Sequence, residues 1–224
     1  MIINHEYGFI FVKTRKTAGT SIEYLLASLC EDGDTVTPIF PHVNGFVPRN
    51  YQGFFNPFSE LGVQPFGNMR SVGSRWIRRQ RFFSHMPARL IQARIDADVW
   101  NSYFKFTVER HPYDKVVSHY SWLRYTGRIA DNFDSYIHSS RLPVDHPLYV
   151  DHQNQILVDR IISFETMEED LRDVLNYLNV PDLKRVLPHT KGEGRSESVP
   201  IEPYKDQIKS AFAWEFRNLG FDPR

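Results

Sequence analysis

Two short runs of apolar, β-forming residues, each followed by a basic loop and a helical pattern, constrain the fold of this chain most. The first run spans residues 8–12 and precedes apolar residues at helical spacing over residues 21–30. The second spans residues 103–108 and precedes a helix that we expect from Pro112 to about Tyr125. Strands that alternate with helices predict an α/β fold, in which a central parallel sheet carries helices on both faces as a three-layer, P-loop-like structure.

The other predicted elements follow the same alternation. Further strands are expected at residues 81–84 and 160–163, and further helices at residues 87–94, 132–139, 151–158, 167–178 and 203–216. Residues 38–68 contain five prolines and four glycines, which excludes a long helix there. We therefore expect one domain over residues 1–224, with an irregular, aromatic excursion at about residues 31–80 that packs on the body or lines a cleft.

Composition limits the possible classes of protein. The 27 basic and 27 acidic residues give zero net charge, which argues against a nucleic-acid-coating protein but not against a local basic site. One cysteine excludes an intrachain disulfide framework and a four-cysteine zinc site. No apolar run is long enough to predict a membrane span or a signal segment. These features predict a soluble, cytoplasmic protein without a metal site.

The loop after the first strand has the chemistry of a phosphate cradle. Lys16 and Gly19 lie in it, and the next helix opens at Thr20 and Ser21. Backbone N–H groups at the start of a helix point at an anion, hydroxyls add donors and a lysine supplies charge. The spacing is not that of a Walker A loop, because Lys16 precedes Gly19. The alternative is an ordinary helix N-terminus that Thr20 or Ser21 caps.

The loop after the second strand offers an arginine at the matching position. Arg110 stands where the strand ends, and Ser118 follows eight residues later in the helix. A guanidinium group matches the geometry of phosphate oxygens, although a surface ion pair, for example with Glu109, is the alternative for Arg110 alone. Because ligands bind at the carboxyl ends of parallel strands, we expect both loops to contribute to one site.

Together the two loops resemble the sulfotransferases that use 3′-phosphoadenosine 5′-phosphosulfate (PAPS). Residues 9–23, FIFVKTRKTAGTSIE, are similar to the family's 5′-phosphosulfate loop, Pro-Lys-Thr-Gly-Gly-Thr-Ser, with Arg15 in place of proline and Ala18 in place of the first glycine. Residues 106–120, FTVERHPYDKVVSHY, are similar to its 3′-phosphate motif. The similarity extends to residues 160–171 and to the C-terminal region, and it is greatest to the short branch related to Golgi carbohydrate sulfotransferases, without their membrane anchor.

The resemblance implies a role for each matching residue. Lys16 would contact the 5′-phosphate and the bridging oxygen, where negative charge grows as the sulfuryl group leaves. Arg110 and Ser118 would hold the 3′-phosphate. The other residues predicted to bind PAPS are Arg15, Thr17, Ala18, Gly19, Thr20 and Ser21 in the first loop, and Lys191, Gly192 and Arg195 in a glycine-rich basic loop. Arg15 has no family counterpart and is expected to point to solvent rather than add charge to the loop. The basic loop either closes over the nucleotide or lies on the surface.

A histidine is the expected general base. His85 resembles the catalytic histidine that ends a strand just before a proline-containing turn in the family, and a neutral imidazole suits this role. Its alternative role is to cap the helix that begins near Pro87. We expect His119 to be a packing residue and His111 to make a weak nucleotide contact at most. Glu165 matches an acidic family position and either orients basic side chains or caps the next helix.

The sequence thus predicts a PAPS-dependent sulfotransferase in which Lys16 and His85 are catalytic. The sulfuryl group would move to an acceptor hydroxyl on a carbohydrate or small molecule by in-line displacement. The alternatives are a nucleotide kinase with a degenerate phosphate loop and a non-catalytic module that binds a glycan or nucleotide. Residues 70–94 hold seven arginines and no acidic residue, and they face either an anionic acceptor or solvent.

Overall fold

A sheet of five strands forms the centre of the structure. The computed structural model describes residues 1–40, 44–63, 69–129, 132–139, 142–181 and 199–222. In these residues the strands are β1 (Ile2–Asn4), β2 (Phe9–Val12), β3 (Thr35–Val36), β4 (Phe104–Glu109) and β5 (Arg160–Ser163). They lie in the order β3-β1-β2-β4-β5.

The sheet is mixed, with a parallel half and an antiparallel edge. β2 pairs in parallel with β4, with Phe9 opposite Phe104 and Val12 opposite Thr107, and β4 pairs in parallel with β5. β1 runs antiparallel to both β2 and β3. The predicted α/β fold class is confirmed. The antiparallel edge is an addition that the sequence did not predict, because strands of two and three residues are too short to show an alternating pattern.

Helices cover both faces of the sheet. They are α1 (Gly19–Ala27), α2 (Met69–Ile77), α3 (Ala88–Arg94), α4 (Ala97–Ser102), α5 (Pro112–Tyr125), α6 (Phe133–Ile137), α7 (Met167–Tyr177), α8 (Lys205–Ala211) and α9 (Ala213–Asn218). Short 3₁₀ turns lie at Pro57–Glu60, His146–Leu148 and Glu202–Tyr204.

The side chains of β2 alternate between the two faces of the sheet and contribute to a separate apolar core on each face. Phe9 and Phe11 are fully buried with side chains of α1 and α7. Ile10 and Val12 point to the opposite face and pack with side chains of α3 and with Trp100. A third apolar cluster joins α5, α6 and α8. The two sides of one strand thus anchor helices on both faces, which fixes the position of the loop that follows Val12.

Three predicted elements are wrong. Residues 81–84 are not a strand, because the Phe82 N–H donates to the Tyr51 carbonyl (2.8 Å) beside an isolated bridge and not to the central sheet. Residues 151–158 are not a helix, because the Asp151 carboxylate accepts the N–H groups of residues 153 and 155 and turns the chain. The predicted helix at residues 203–216 is divided at Phe212, which is fully buried.

The excursion is also more regular than expected at its end. Helix α2 occupies residues that the sequence analysis assigned to an irregular segment. These nine residues contain no proline, so no missing N–H or ring clash interrupts a helix there. Val72 is the fully buried anchor of α2.

Candidate functional site

The loops that follow β2 and β4 lie side by side at the carboxyl edge of the sheet. The Thr107 hydroxyl donates to the Val12 carbonyl (2.7 Å), and the Thr14 hydroxyl donates to the carbonyl of Val108. Further along, Arg110 Nη1 lies 3.5 Å from the Lys16 carbonyl oxygen. The predicted phosphate cradle and the predicted phosphate-binding arginine are therefore neighbours.

Left-handed backbone conformations shape the first loop. Lys16 has a φ of 61° and Ala18 a φ of 53°, and such residues curl successive N–H groups into a concave surface that suits an anion. The Ala18 carbonyl accepts the N–H groups of Ser21 (2.9 Å) and Ile22 (3.2 Å), and Ala18 is the N-cap of α1. The predicted capping by Thr20 or Ser21 is therefore wrong, since α1 already begins at Gly19.

Ala18 stands in this conformation where the resembled loop has glycine. A left-handed conformation costs a residue with a Cβ atom about 1–2 kcal/mol. The surrounding contacts must offset that cost here. The preference for glycine in this loop thus has a backbone cause.

Gly19 is required for a different reason, which is close packing. A Cβ atom at Gly19 would lie 3.1 Å from two carbons of the Lys13 side chain and 3.4 Å from the Thr14 carbonyl oxygen. Thr17 is fully buried, and its hydroxyl lies 3.0 Å from the Thr14 hydroxyl. The Thr17 side chain thus serves the loop itself, while Thr20 remains partly open to solvent.

The two lysines of the first loop have different roles. Lys13 is buried and pairs with the buried carboxylate of Glu23 at 2.5 Å. Lys16 has no carboxylate within ion-pair distance among the residues that the structure describes, and its ammonium lies 5.3 Å from the centre of the Trp122 ring. Burial, with a smaller contribution from the charge of Arg110, lowers the pKa of Lys16 to about 8. Among the described residues, Lys16 is therefore the lysine of this loop whose charge is not paired with a carboxylate.

The second loop places its arginine against an aromatic ring. Arg110 Cζ lies 4.3 Å from the ring centre of Phe164. The carboxylate of Glu109 is buried and binds Lys115 and the Tyr149 hydroxyl, so the alternative of a surface ion pair between Glu109 and Arg110 is wrong. Burial raises the pKa of Glu109, against the opposing effect of Lys115.

Ser118 and Trp122 extend this surface along α5. They are four residues apart and therefore share a face of the helix. Lys16 lies over the Trp122 ring, so this is the face that meets the first loop. The structure thus brings Lys16 and Arg110 to the same edge of the sheet, and the helical spacing of α5 puts Ser118 on the face that carries Trp122.

A buried aspartate that the sequence analysis missed ties the two loops together. Asp145 is fully buried and accepts the backbone N–H of Arg15 (2.7 Å) and its Nε–H (2.6 Å). The Lys115 ammonium, which also binds Glu109, lies 2.9 Å from Asp145. Burial alone would raise the pKa of Asp145, but Lys115 and Arg15 hold it below its ordinary value. Arg15 also donates to the Val144 carbonyl (2.7 Å), and 39% of its side chain is exposed, so it reaches solvent as expected while Asp145 and Val144 hold it in place.

His85 lies against the first residue of the cradle. Its Nδ1 atom is 3.2 Å from the Lys13 carbonyl oxygen. Because a carbonyl only accepts hydrogen bonds, Nδ1 carries the proton and Nε2 keeps a free lone pair. Burial, followed by the charge of Lys13, lowers the pKa of His85 to about 4, so the ring is neutral at pH 7. The N-cap of α3 is Pro87 without a side-chain cap, so the alternative role of His85 as a helix cap is wrong.

His111 and His119 make contacts within the protein. His111 is the N-cap of α5 and also bonds through Nε2 to the Asp222 carbonyl (2.8 Å), so both ring nitrogens are used within the protein. His119 is buried, stacks on Trp122 and bonds to the hydroxyl of Tyr136 (2.9 Å), which confirms the packing role predicted for it.

Two further predictions concern Glu165 and the basic loop. Glu165 accepts the His111 backbone N–H (3.1 Å) and the Ser163 hydroxyl (2.5 Å), so it supports the second loop through the main chain. Lys191, Gly192 and Arg195 lie outside the described residues, and their predicted contact with the nucleotide stays a prediction.

The arginine-rich segment does not form one surface. Arg94 is buried and pairs with Glu60, and the Arg81 Nη2 donates to the Arg94 carbonyl (2.7 Å). Arg75 is half-buried over the ring of Phe83. The exposed arginines are at positions 70, 78 and 79, which lie in or just beyond α2.

The chain was compared with known proteins. No family model matches it. An uncharacterised protein of Archaeoglobus fulgidus is 29% identical over 102 residues, which cover 43% of this chain and 85% of that protein. The crystal structure of a sulfotransferase from Alicyclobacillus acidocaldarius is similar to this structure with a TM-score of 0.48 and 16% identity, over 93% of this chain and 92% of that one.

The site combines three chemical capabilities. A curled loop and a helix start offer N–H groups, Lys16 and Arg110 supply positive charge, and His85 offers a neutral imidazole beside the first loop. Within the described residues, no three histidine, cysteine or acidic side chains form a metal-binding group. None of the helices in the described part of the chain has the length and apolar character to cross a membrane. The arrangement can bind a substrate with two anionic groups and accept a proton beside it.

Proposed function

We propose that this protein is a sulfotransferase that moves the sulfuryl group of PAPS to an acceptor hydroxyl. The observation that carries this proposal is the meeting of two cationic loops, where Arg110 Nη1 lies 3.5 Å from the carbonyl oxygen of Lys16. A donor with separate 5′- and 3′-anionic groups needs two such sites side by side. The pattern of residues in both loops, given above, supports PAPS as that donor.

Lys16 and His85 have different roles in the transfer of the sulfuryl group. The acceptor oxygen forms a bond to sulfur while the bond from sulfur to the bridging oxygen breaks. Lys16 neutralises the charge that appears on the bridging oxygen. His85 Nε2 accepts the proton of the acceptor hydroxyl, and 3′-phosphoadenosine 5′-phosphate (PAP) departs with the negative charge.

The low pKa of His85 fits a base that is tuned by its substrate. The pKa of about 4 applies to a site without an anion, where burial and Lys13 both disfavour the protonated ring. A bound donor brings negative charge close to the ring, and a neighbouring opposite charge raises the pKa of an imidazole. His85 thus becomes a stronger base when the donor is present.

The proposal also covers the acceptor, which we name only by its chemical class. We assign it as a hydroxyl of a carbohydrate or another small molecule, since the sequence resembles the branch related to carbohydrate sulfotransferases. We infer a cytoplasmic location from the sequence features given above.

Calorimetric titration with PAP, with AMP and with ATP and magnesium tests the proposal. PAP should bind much more tightly than AMP because Arg110 and Ser118 address the 3′-phosphate. Arg110→Ala should weaken PAP binding by about 1.5–3 kcal/mol, as expected for a charged hydrogen bond, and leave AMP nearly unchanged.

The matched control is Arg172→Ala, which removes an exposed arginine of α7. It should alter neither affinity. Equal affinity for PAP and AMP would overturn the assignment of the 3′-phosphate site. Preferred binding of ATP with magnesium would favour the nucleotide kinase.

A further inference from the structure

A cationic part of the chain contains arginines that take no part in the site described above. Residues 41–95 contain eight arginines and one acidic residue, although the whole chain has zero net charge. That acidic residue, Glu60, is fully buried and pairs with the buried Arg94. The exposed charge of the described residues in this range is therefore entirely positive.

Exposed apolar side chains concentrate in the same region. Of the eleven large hydrophobic residues that the described part of the chain exposes, seven lie between residues 40 and 77. Ile77 is 76% exposed, Phe54 is 56% exposed and Trp76 is 41% exposed. Isolated exposed hydrophobic residues are ordinary, but neighbouring ones mark interaction surfaces.

Two of these residues, Phe54 and Trp76, are in direct contact, and Arg79 contacts Phe54. The rings of Phe54 and Trp76 are 5.5 Å apart, and Arg79 Cζ lies 4.8 Å above the ring of Phe54. Ile77 and Arg78 continue the chain between Trp76 and Arg79. We call Phe54, Trp76, Ile77, Arg78 and Arg79 the α2 patch.

The backbone holds the α2 patch in a fixed shape. Gly53 donates its N–H to the Arg79 carbonyl (2.6 Å), which joins the strand-like segment of Phe54 to the end of α2. The Val72 side chain on α2 is fully buried and anchors the helix to the body of the protein. The patch is therefore a preformed surface that needs no ordering before it binds a partner.

We propose that the α2 patch docks the protein on the surface of an anionic lipid bilayer. A polar polyanion would use the arginines but leave Ile77 and Phe54 in water. A bilayer uses both, because aromatic and aliphatic side chains enter the boundary of headgroups and acyl chains while arginines meet the anionic headgroups. Tryptophan also favours this boundary. The proposal does not depend on the sulfotransferase activity.

Sedimentation with lipid vesicles tests the docking. The protein should sediment with vesicles that contain phosphatidylserine, sediment less with phosphatidylcholine alone, and be released as salt is raised. An arginine near an anionic surface contributes about fivefold to binding, the equivalent of ~1 kcal/mol. Arg78→Glu with Arg79→Glu should therefore lower vesicle binding by more than about tenfold.

The apolar half of the patch needs its own variant and control. Trp76→Ser with Ile77→Ser should also lower vesicle binding, whereas Tyr177→Ser, which removes an exposed aromatic of α7, should not. Arg172→Glu with Arg217→Glu changes the net charge by the same amount on other exposed helical positions and should retain most binding. An unchanged melting temperature verifies that each variant folds.

Other occupants of the patch give other results. Equal loss of binding in the patch variants and in the control variants would overturn the proposal. A second result would also overturn it. If the protein bound soluble heparin, the arginine variant abolished that binding and the serine variant left vesicle binding intact, the partner would be a polar polyanion. A dimer that the serine variant converts to a monomer, without any vesicle binding, would assign the patch to a second copy of this chain.

Discussion

Replacement of Asp145 by asparagine should destabilise the protein strongly. This fully buried carboxylate binds Arg15 through two hydrogen bonds of 2.6 and 2.7 Å and pairs with Lys115 at 2.9 Å. Breaking a buried ion pair by removing one partner costs about 3–5 kcal/mol. Lys115 keeps Glu109 as a partner, and the asparagine oxygen can still accept the Arg15 backbone N–H. We therefore expect Asp145→Asn to lower the free energy of unfolding by about 3 kcal/mol, at the lower end of that range.

Urea unfolding with linear extrapolation measures this loss. The control is Asp173→Asn, on the exposed face of α7, which should change the free energy of unfolding by less than about 0.5 kcal/mol. The pKa of Asp145 is lowered in the fold, so its stabilisation is present above the unfolded value of about 3.9 and is lost as pH falls through the folded value. The effect of the variant should shrink accordingly in acid. A loss below about 1 kcal/mol at pH 7 would refute the idea that Asp145 holds the loops together.

Three further variants examine the cradle and the base. Lys16→Ala should lower kcat more than it weakens PAP binding, because the bridging oxygen gains its charge only as the bond breaks; a change in KM alone would make Lys16 a binding residue. His85→Ala should lower kcat by about 10²–10⁴-fold with little change in PAP affinity. Because the pKa of about 4 applies to the site without donor, the rise with pH of kcat/KM for PAPS should lie near pH 4 and disappear in the variant. A rise near pH 6.5 that persists in the variant would point to another base. Ala18→Gly should raise the free energy of unfolding by about 1 kcal/mol in urea titration, since it removes a left-handed penalty of about 1–2 kcal/mol and adds a smaller entropy cost in the unfolded chain; no gain would mean that the loop already relaxes around alanine.

The elements that the sequence predicted well are those whose own residues determine them. β4 combines alternation with β-forming side chains, and α5 begins at Pro112, where a proline favours the first turn. Both were located to within about two residues, the usual uncertainty of an element boundary. The elements that failed depend on distant partners. Phe82 and Phe83 look like part of a strand, but they pack under the segment of Tyr51 and beside Arg75.

The residues of the candidate site also differ in how far the sequence predicts them. Lys16 and Arg110 were predicted from motifs that follow β2 and β4, two strands that do form. His85 was predicted from a strand at residues 81–84 that does not form, although its ring does lie against the first loop. Asp145 carried no such signal, since its partner Arg15 is 130 residues away and nothing local to Asp145 indicates burial. Long-range pairs of this kind become visible only when the fold brings their segments together.

The hydrogen bond from the Arg15 backbone to Asp145 makes the residue at position 145 depend on the residue at position 15. Proline, which the resembled loop carries at this position, has no N–H to donate. A relative with proline there would leave a buried aspartate oxygen without its donor, and would also lose the guanidinium that neutralises the charge. Arginine at position 15 and aspartate at position 145 should therefore be inherited together. An ancestor that exchanged one of them first would have passed through a less stable protein.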